Sequence, residues 1–530
     1  MFRFFGLILI ILAAFPLARS CAQSVDPAHA ELATANFDSI RHGVERLTAS
    51  GNPRALPIIV ALQAGRLYVR SDRVLFIKID NGSFVDAATG DAAPDVIPSA
   101  VKLVRTNNPV RSAIEAALGS LRLFSSDAAT RLDAAEAVFK SHDVAALPGL
   151  AKALAKETDP AVRLRMEQAR SAALLFSDTG SEKERLEAVA VLRNRGDMES
   201  RSLLDGLSGQ TPAVAAAASA AVASIDRILQ LWSILQSVFY GVSLGSVLLL
   251  AAAGLAITFG VMGVINMAHG EMVMIGAYVT YVVQQVMHQI APSIYEANLL
   301  FAVPLAFLVA GVVGIAIERS LIRWLYGRPL ETLLATWGLS LVLQQAVRSI
   351  FGAHNLDVET PPWMSSDTHL GGLTLTWNRT YIILFAIVVL ATLMAALRFT
   401  PLGLRMRAVT QNRRMAAAMG IRTPWIDALT FGLGSGVAGM AGVALSQIDN
   451  VSPNLGQGYI VDSFMVVVFG GVGNLWGTTL GALTLGIVNK FLEPVAGAVL
   501  GKIVVLVLLI LFIQRRPRGM FPVKGRAVET

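Results

Sequence analysis

From about Val238 to Gln514 the chain is written in long apolar runs broken by short polar ones, and this limits what it can become. About 20 apolar residues in a helix cross the roughly 30 Å of bilayer hydrocarbon. Lipid supplies no hydrogen-bond partners, so a backbone lying in it must close its own bonds. Runs that are continuous and this long select helices over strands. Nine candidate spans are read: 238–260, 271–290, 298–318, 331–351, 380–397, 425–447, 458–476, 477–494 and 499–514. The last three are short and glycine-rich, and they also admit a broken or re-entrant helix. Composition agrees, since only 15% of the 530 residues are charged, against about 25% in soluble domains.

Basic residues orient these spans. Segments 319–330 (Arg319, Arg323, Arg328), 398–424 (Arg398, Arg405, Arg407, Arg413, Arg414, Arg422) and 515–530 (Arg515, Arg516, Arg518, Lys524, Arg526) hold most of the cations of this half. They are expected on the cytoplasmic side. Loops 352–379 and 448–457 carry Asp357, Glu359, Asp367 and Asp449 against a single Arg379, as outer loops do. The net charge of +7 is then explained by basic loops at a bilayer, and no nucleic-acid partner is expected.

The first residues show Arg3, an apolar run from Phe4 to Leu17 and a small-residue site at Ser20-Cys21-Ala22. This reads as a cleaved signal peptide, 1–22, too short to span; a lipid-anchored Cys21 is the alternative. Cys21 is the chain's only cysteine, so no disulfide is expected. From 23 to 228 the text is Ala-rich and charged, with no stretch able to cross a bilayer. RLDAAEAVFKSHD at Arg131 matches RLEAVAVLRNRGD at Arg185, and each copy runs on to Pro-Ala-Val, at Pro160 and Pro212. A looser copy of the second half begins at Leu103. Such repeats predict stacked helix pairs of the HEAT type. Alternation from Gly65 to Asp91 around Asn81-Gly82 predicts one short β-hairpin. A docking surface and a plain helical spacer are both compatible with this domain.

Three segments of the second half carry polar or glycine-rich text. GLAITFGVMGVINMAHGEMVMIGAY, Gly254 to Tyr278, sets Asn266, His269 and Glu271 inside an apolar stretch. Polar groups at such depth mark a pathway or a broken helix; a short turn between two spans is the alternative. Ser452 to Ala482 crowds Gly470, Gly471, Gly473, Gly477 and Gly481 beside Asn474, which reads as an unwound point on a path or as close helix packing. Thr400 to Trp425 predicts a basic amphipathic helix, roughly Leu404 to Met419, ending at Gly420 and suited to a lipid surface or a partner's groove. No phosphate loop occurs: GAVLGKI, Gly497 to Ile503, is one residue short between its glycines. Nor is a metal-binding HExxH or Cys/His cluster present, and no nucleophile elbow is read. The chain is therefore expected to need no cofactor or metal and to be no enzyme.

These segments resemble the permeases of the branched-chain amino acid ABC transporter family over residues 235–515. The resemblance rests on GVINMAHGEMVMIGAY, RMRAVTQNRRMAAAMGI, and PNLG followed by GGVGNLWGTTLG. The acidic-Ala-Ala loop pattern of many importers is replaced by Arg414-Met415-Ala416. With its signal peptide and outer N-terminal domain, the arrangement looks like the B-type permease subunit of urea ABC transporters. The resemblance implies a bacterial inner-membrane, multi-pass subunit working with a periplasmic substrate-binding protein, a second homologous permease and cytoplasmic ABC ATPases. It places Asn266, His269, Glu271, Gly470, Gly471, Gly473 and Asn474 near the substrate path, and Arg405, Arg407, Ala408, Asn412, Ala417 and Gly420 at the ATPase-coupling surface. Urea is the expected substrate, with a branched-chain amino acid or short amide as the alternative. An ATP-independent channel or secondary carrier with a regulatory outer domain is the reading from another class. The expected fold is all-α: a HEAT-like periplasmic domain with one hairpin (23–228), a bundle of about nine spans (229–514) and a cytoplasmic tail (515–530).

Overall fold

The computed structural model describes residues 27–521, apart from 51, 80, 81, 179 and 518. The expected signal peptide, Cys21, Asn81 of the hairpin turn and most of the tail lie outside the described residues. Two compact units divide the chain between Leu229 and Gln230.

In the first unit, helices α1 (Pro27–Leu32), α2 (Phe37–Ala49) and α3 (Ala55–Gln63) precede strands β1 (Leu67–Arg70), β2 (Leu75–Lys78), β3 (Phe84–Asp86) and β4 (Val101–Leu103). The strands pair antiparallel in the order β3-β2-β1-β4, with Tyr68 opposite both Phe76 and Leu103. The expected single hairpin is thus a four-stranded sheet. Its fourth strand is three residues long and follows a gap of 14 residues after β3, too little text to show a period of two. Phe76, Phe84, Val96 and Val101 bury one face of this sheet.

Helices α4 (Asn108–Arg122), α5 (Ala128–Ser141), α6 (Leu147–Lys156), α7 (Pro160–Leu175), α8 (Glu182–Arg195), α9 (Met198–Asp205) and α10 (Pro212–Met262) follow. Each repeat is a long-short-long set, α5-α6-α7 and α8-α9-α10, rather than a simple pair. Matching positions make matching bonds. Arg131 reaches Glu157 with two nitrogens at 2.7 and 2.9 Å and donates to the Ser125 carbonyl; Arg185 donates to the Gln210 side chain at 2.9 Å and to the Ser177 carbonyl. Each arginine ties the start of its repeat to the loop before the repeat's last helix. Pro160 and Pro212 occupy first helical positions, where a missing N–H costs nothing. Val162, Met166, Leu192, Val214 and Ile225 share one apolar core.

In the second unit α10 continues, with Val247, Leu250 and Ala251 in a separate core. It is followed by α11 (His269–Ile290), α12 (Asn298–Ser320), α13 (Pro329–Phe351), strands β5 (Asp367–Leu370) and β6 (Leu373–Thr376), then α14 (Trp377–Phe399), α15 (Pro401–Gln411), α16 (Arg413–Ala418), α17 (Thr423–Leu445), α18 (Leu455–Gly470) and α19 (Leu475–Arg515). With its β5-β6 hairpin and the N-terminal sheet the chain is not all-α; it is mostly helical. By length and composition five described helices are able to cross a membrane: α10, Ile294–Trp324 containing α12, α14, α17 and α19. Helices α11 and α13 are long enough but diluted by polar residues, and α18 has only 16 residues, about 24 Å of rise. Helix α19 breaks at Gly497, where φ is 78°, just after Pro494. The apolar window of α17 is 83% buried, whereas that of α14 is 28%, so α17 is central and α14 peripheral.

Helix α17 packs through glycines. A Cβ at Gly434 would stand 2.6 Å from the Gly254 carbonyl oxygen of α10, and one at Gly439 2.6 Å from that of Ala306 on α12. Gly276 of α11 meets the backbone of Gly439. Such backbone-to-backbone approach is what small residues permit in a bilayer.

In the repeat unit, Arg195 is nearly buried and bonds Glu136 at 2.8 Å and Asp197 at 2.6 Å, with its guanidinium 3.7 Å from the centre of the Phe139 ring. The bond from Arg195 holds the Glu136 carboxyl below the usual range. A depressed carboxylate stabilises the fold above its unfolded pKa and stops doing so as pH falls through the folded one. Arg195→Leu is expected to destabilise this unit by about 1–2 kcal/mol at pH 7. The deficit should shrink below about pH 4, read from hydrogen-exchange protection of residues 128–205 in the full-length protein.

Candidate functional site

Helix α13 is inverted relative to a helix of a water-soluble core. All four of its buried residues, Thr332, Thr336, Ser340 and Gln344, are polar and spaced every fourth residue. Leu334 (67% exposed) and Val342 (63%) face outward. A spacing of four puts the polar residues on one stripe, and only the inside of a membrane bundle rewards that arrangement.

The stripe faces the break between α10 and α11. Gly263 adopts φ 69° after α10, and the following loop carries Asn266, whose Oδ1 accepts from the Ala268 N–H at 3.0 Å. The Met267 N–H donates to Thr336 Oγ1 at 3.1 Å. His269 Nε2 lies 2.9 Å from the Ala251 carbonyl; a carbonyl only accepts, so Nε2 bears the proton. Its Nδ1 is buried without a partner. Glu271 Oε1 accepts from Ser340 Oγ and Gln344 Nε2, both at 2.7 Å, while Oε2 has no partner and the residue is 1% exposed. One turn beyond Gln344, Arg348 donates to Asn454 Oδ1 at 3.0 Å. Thus Asn266, His269 and Glu271 gather at one junction, together with Thr336, Ser340 and Gln344. Sequence reasoning missed these last three, although their fourfold spacing is legible.

The glycine-rich segment lies elsewhere. Gly470 ends α18, Gly471 (φ 105°) and Gly473 (φ 82°) make the turn, and Asn474 caps α19 by accepting from the Trp476 and Gly477 N–H groups. Gly473 sits against Gly260 of α10. The Phe521 N–H donates to the Gly470 carbonyl, and the Asn474 amide donates to the Phe521 carbonyl. The side-chain bonds of Asn474 run to Trp476, Gly477 and Phe521 and not to the Glu271 junction. One string escaped the sequence reading: Gly241-Val242-Ser243-Leu244-Gly245 spells the GxSxG of a nucleophile elbow. It lies inside α10 and not at a strand-to-helix turn, and its glycines admit the backbone of α19 at Ile487 and Ala482.

The expected single basic helix over 404–419 is two helices. Asn412 ends α15 and caps α16, its Oδ1 accepting from the Met415 N–H at 3.0 Å. A side chain that supplies an N-cap bond favours restarting the helix there. Gly420 closes the pair at φ 84°, with open space around it. Arg405, Arg407, Asn412, Ala417 and Gly420 are exposed and Ala408 is half-buried; Arg407 also donates to the Leu397 carbonyl at 2.6 Å. Leu404, Met415 and Met419 are exposed among them. The platform is fastened by Arg413, which pairs with fully buried Asp427 of α17 and lies 4.6 Å from the centre of the Tyr326 ring. No grouping of three or more His, Cys, Asp or Glu among the described residues offers a metal site.

The family model described as branched-chain amino acid transport system / permease component matches residues 237–513. This chain belongs to that family. The high-affinity branched-chain amino acid transport system permease protein LivH of Escherichia coli (strain K12) is 31% identical over 295 residues, 54% of this chain and 94% of LivH. The protein of the same name from Salmonella typhimurium is 30% identical over 295 residues, with the same coverage. BraD of Pseudomonas aeruginosa is 29% identical over 296 residues, 55% of this chain and 96% of BraD. No solved structure matches significantly. The permease is therefore a multi-pass membrane transport component and not itself an enzyme.

Removing Arg413 alone strands a buried carboxylate. Arg413→Leu is expected to destabilise the permease by about 3 kcal/mol or more, and Arg413→Leu with Asp427→Leu to recover most of that loss. Thermal unfolding of the detergent-solubilised protein checks both.

Proposed function

We propose that the chain is the membrane subunit of an ATP-driven importer of branched-chain amino acids. It forms the substrate path with a second homologous permease and receives substrate from a periplasmic binding protein. Cytoplasmic ABC ATPases grip α15 and α16. The observation that carries this reading is the platform: two short helices, fastened by a buried ion pair, hold Leu404, Met415 and Met419 in the open between arginines. Exposed apolar side chains of this kind mark a protein contact, and a chain without a phosphate loop must borrow its ATP hydrolysis. The polar stripe of α13 supports a conduit on the bundle side of the same unit.

The names of the relatives favour amino acids as substrate. Urea is the second reading, favoured by the N-terminal domain, which lies outside the family match starting at 237. Nine spans, a periplasmic N-terminal domain and residence in a bacterial inner membrane complete the proposal; the basic segments 319–330, 398–424 and 515–530 support that orientation.

A tagged chain purified from its own host should bring with it a protein carrying a phosphate loop. ATP-dependent uptake should be competed by leucine rather than urea, and the reverse order selects the second reading. Gly420→Pro cannot adopt φ 84° and loses the N–H that bonds Ala417. It should insert normally yet lose at least about 90% of uptake, one factor of ten; full uptake in this variant would remove the platform from the mechanism.

A further inference from the structure

Helix α14 leads into the platform at Phe399, and near its other end a cavity of about 920 Å³ opens between it and α12. Val443, Ala444 and Gln447, at and just past the end of α17, close it behind. Polarity changes along its length. Glu296, Gln447, Trp363 and Tyr381 stand at the rim, and below them the wall is hydrocarbon, with Leu300, Val303, Leu384, Phe385 and Val388. The step from Tyr381 to Val388 on α14 is about 10 Å of rise.

The rim is built from tied parts. Trp363 Nε1 donates to the Glu296 carbonyl at 3.1 Å, and the Trp363 and Tyr381 rings meet edge-on with centres 5.0 Å apart. Paired aromatic rings of this kind sit where a bilayer passes from headgroup to hydrocarbon. Below them, Leu300, Leu384 and Val388 are exposed, so the open side of the cavity faces acyl chains. An apolar cavity excludes water, and left empty it forfeits dispersion contacts along its whole wall. A transmembrane helix of a partner would need a groove running the roughly 30 Å of hydrocarbon. This one covers about a third of that and ends in polar groups, which is the layout of a single lipid.

Unused acceptors at the rim specify the headgroup. Gln447 is 6% exposed, and its Oε1 is buried without a partner. Its orientation is fixed: Ser446 Oγ spends its proton on the Val443 carbonyl at 2.9 Å, so only the Gln447 amide nitrogen suits Ser446 Oγ, at 3.4 Å. Buried acceptors are rarely left bare. Glu296 adds a carboxylate that is exposed and has no ion-pair partner among the described residues. A carboxylate and an amide oxygen at one rim call for a cationic group that carries N–H donors. From this gradient and these acceptors we propose that the cavity between α12 and α14 seats one phosphatidylethanolamine molecule of the leaflet opposite the platform, its ammonium at Glu296 and Gln447 and one acyl chain along Val303 and Phe385. Phosphatidylcholine brings the charge without N–H groups, and phosphatidylglycerol brings a net negative charge to Glu296.

The test uses the full-length chain, with its co-purifying subunits, in phosphatidylcholine nanodiscs holding a trace of phosphatidylethanolamine with a photoreactive acyl chain. Cross-linked peptides are read by mass spectrometry. Labelling of 297–304 and 381–388 should exceed that of the lipid-exposed Val499, Ile503 and Val507 of α19 by at least about tenfold. Unlabelled phosphatidylethanolamine should displace the probe at least about tenfold better than phosphatidylglycerol or further phosphatidylcholine. Glu296→Gln should remove that preference, and Val303→Trp, which fills the cavity, should remove the label. Should Val303→Trp fail to fold, Leu384→Trp fills the same space from the exposed face of α14. The proposal is overturned if α19 is labelled as strongly as the cavity, if the three lipids compete equally, or if Glu296→Gln keeps the wild-type preference. A protein partner seated in the cavity would exclude the label from 297–304 and 381–388 in the wild-type assembly, and that result also overturns it.

Discussion

The second unit depends on how closely helix backbones approach one another around α17. In lipid the apolar effect that drives soluble cores together is absent between helices, so association rests on dispersion and on contact area. Glycines at Gly254, Gly276, Gly434 and Gly439 remove the side chains that would hold α10, α11 and α17 apart. The same approach fixes the end of α10 and the start of α11, and hence the loop that carries Asn266 and Glu271. A junction of buried polar groups is tolerable only if its geometry is held that firmly, because a misplaced partner leaves a charge unsatisfied at low dielectric.

Several charged side chains that enter this bundle come with partners. Arg413 and Asp427 fasten the α15-α16 platform to the central helix. Lys502 meets Asp462 at 3.1 Å, tying the part of α19 beyond its break to α18. The stripe of α13 is different in kind: Ser340 and Gln344 satisfy one oxygen of Glu271 and leave the other. The first two pairs are fastenings, whereas Glu271 keeps one buried oxygen without a partner.

The first unit is built differently, from shorter helices that precede α10. Apolar stacking supplies the core, and arginines at repeat-equivalent positions, Arg131 and Arg185, lock each helix set to its own loops. Duplication is visible in bonding as well as in sequence, although the carboxylate of one copy is an amide in the other.

The sequence by itself determined the features that depend on local composition: the lipid-dwelling half, the charged loops between its helices, the repeat at 131 and 185, and the family motifs. Solvent matching acts residue by residue, so it is written locally. The four-stranded sheet was largely hidden because strands of three or four residues carry too little period, and the restart at Asn412 because one capping bond decides it. Only the tertiary structure decided the partners of Glu271, which stand 69 and 73 residues away along the chain. The stripe of α13 was readable as a pattern, but its meaning came from the helix it faces. Hydrogen bonds between distant segments depend on the packing angle and register of whole helices, which no stretch of local text specifies.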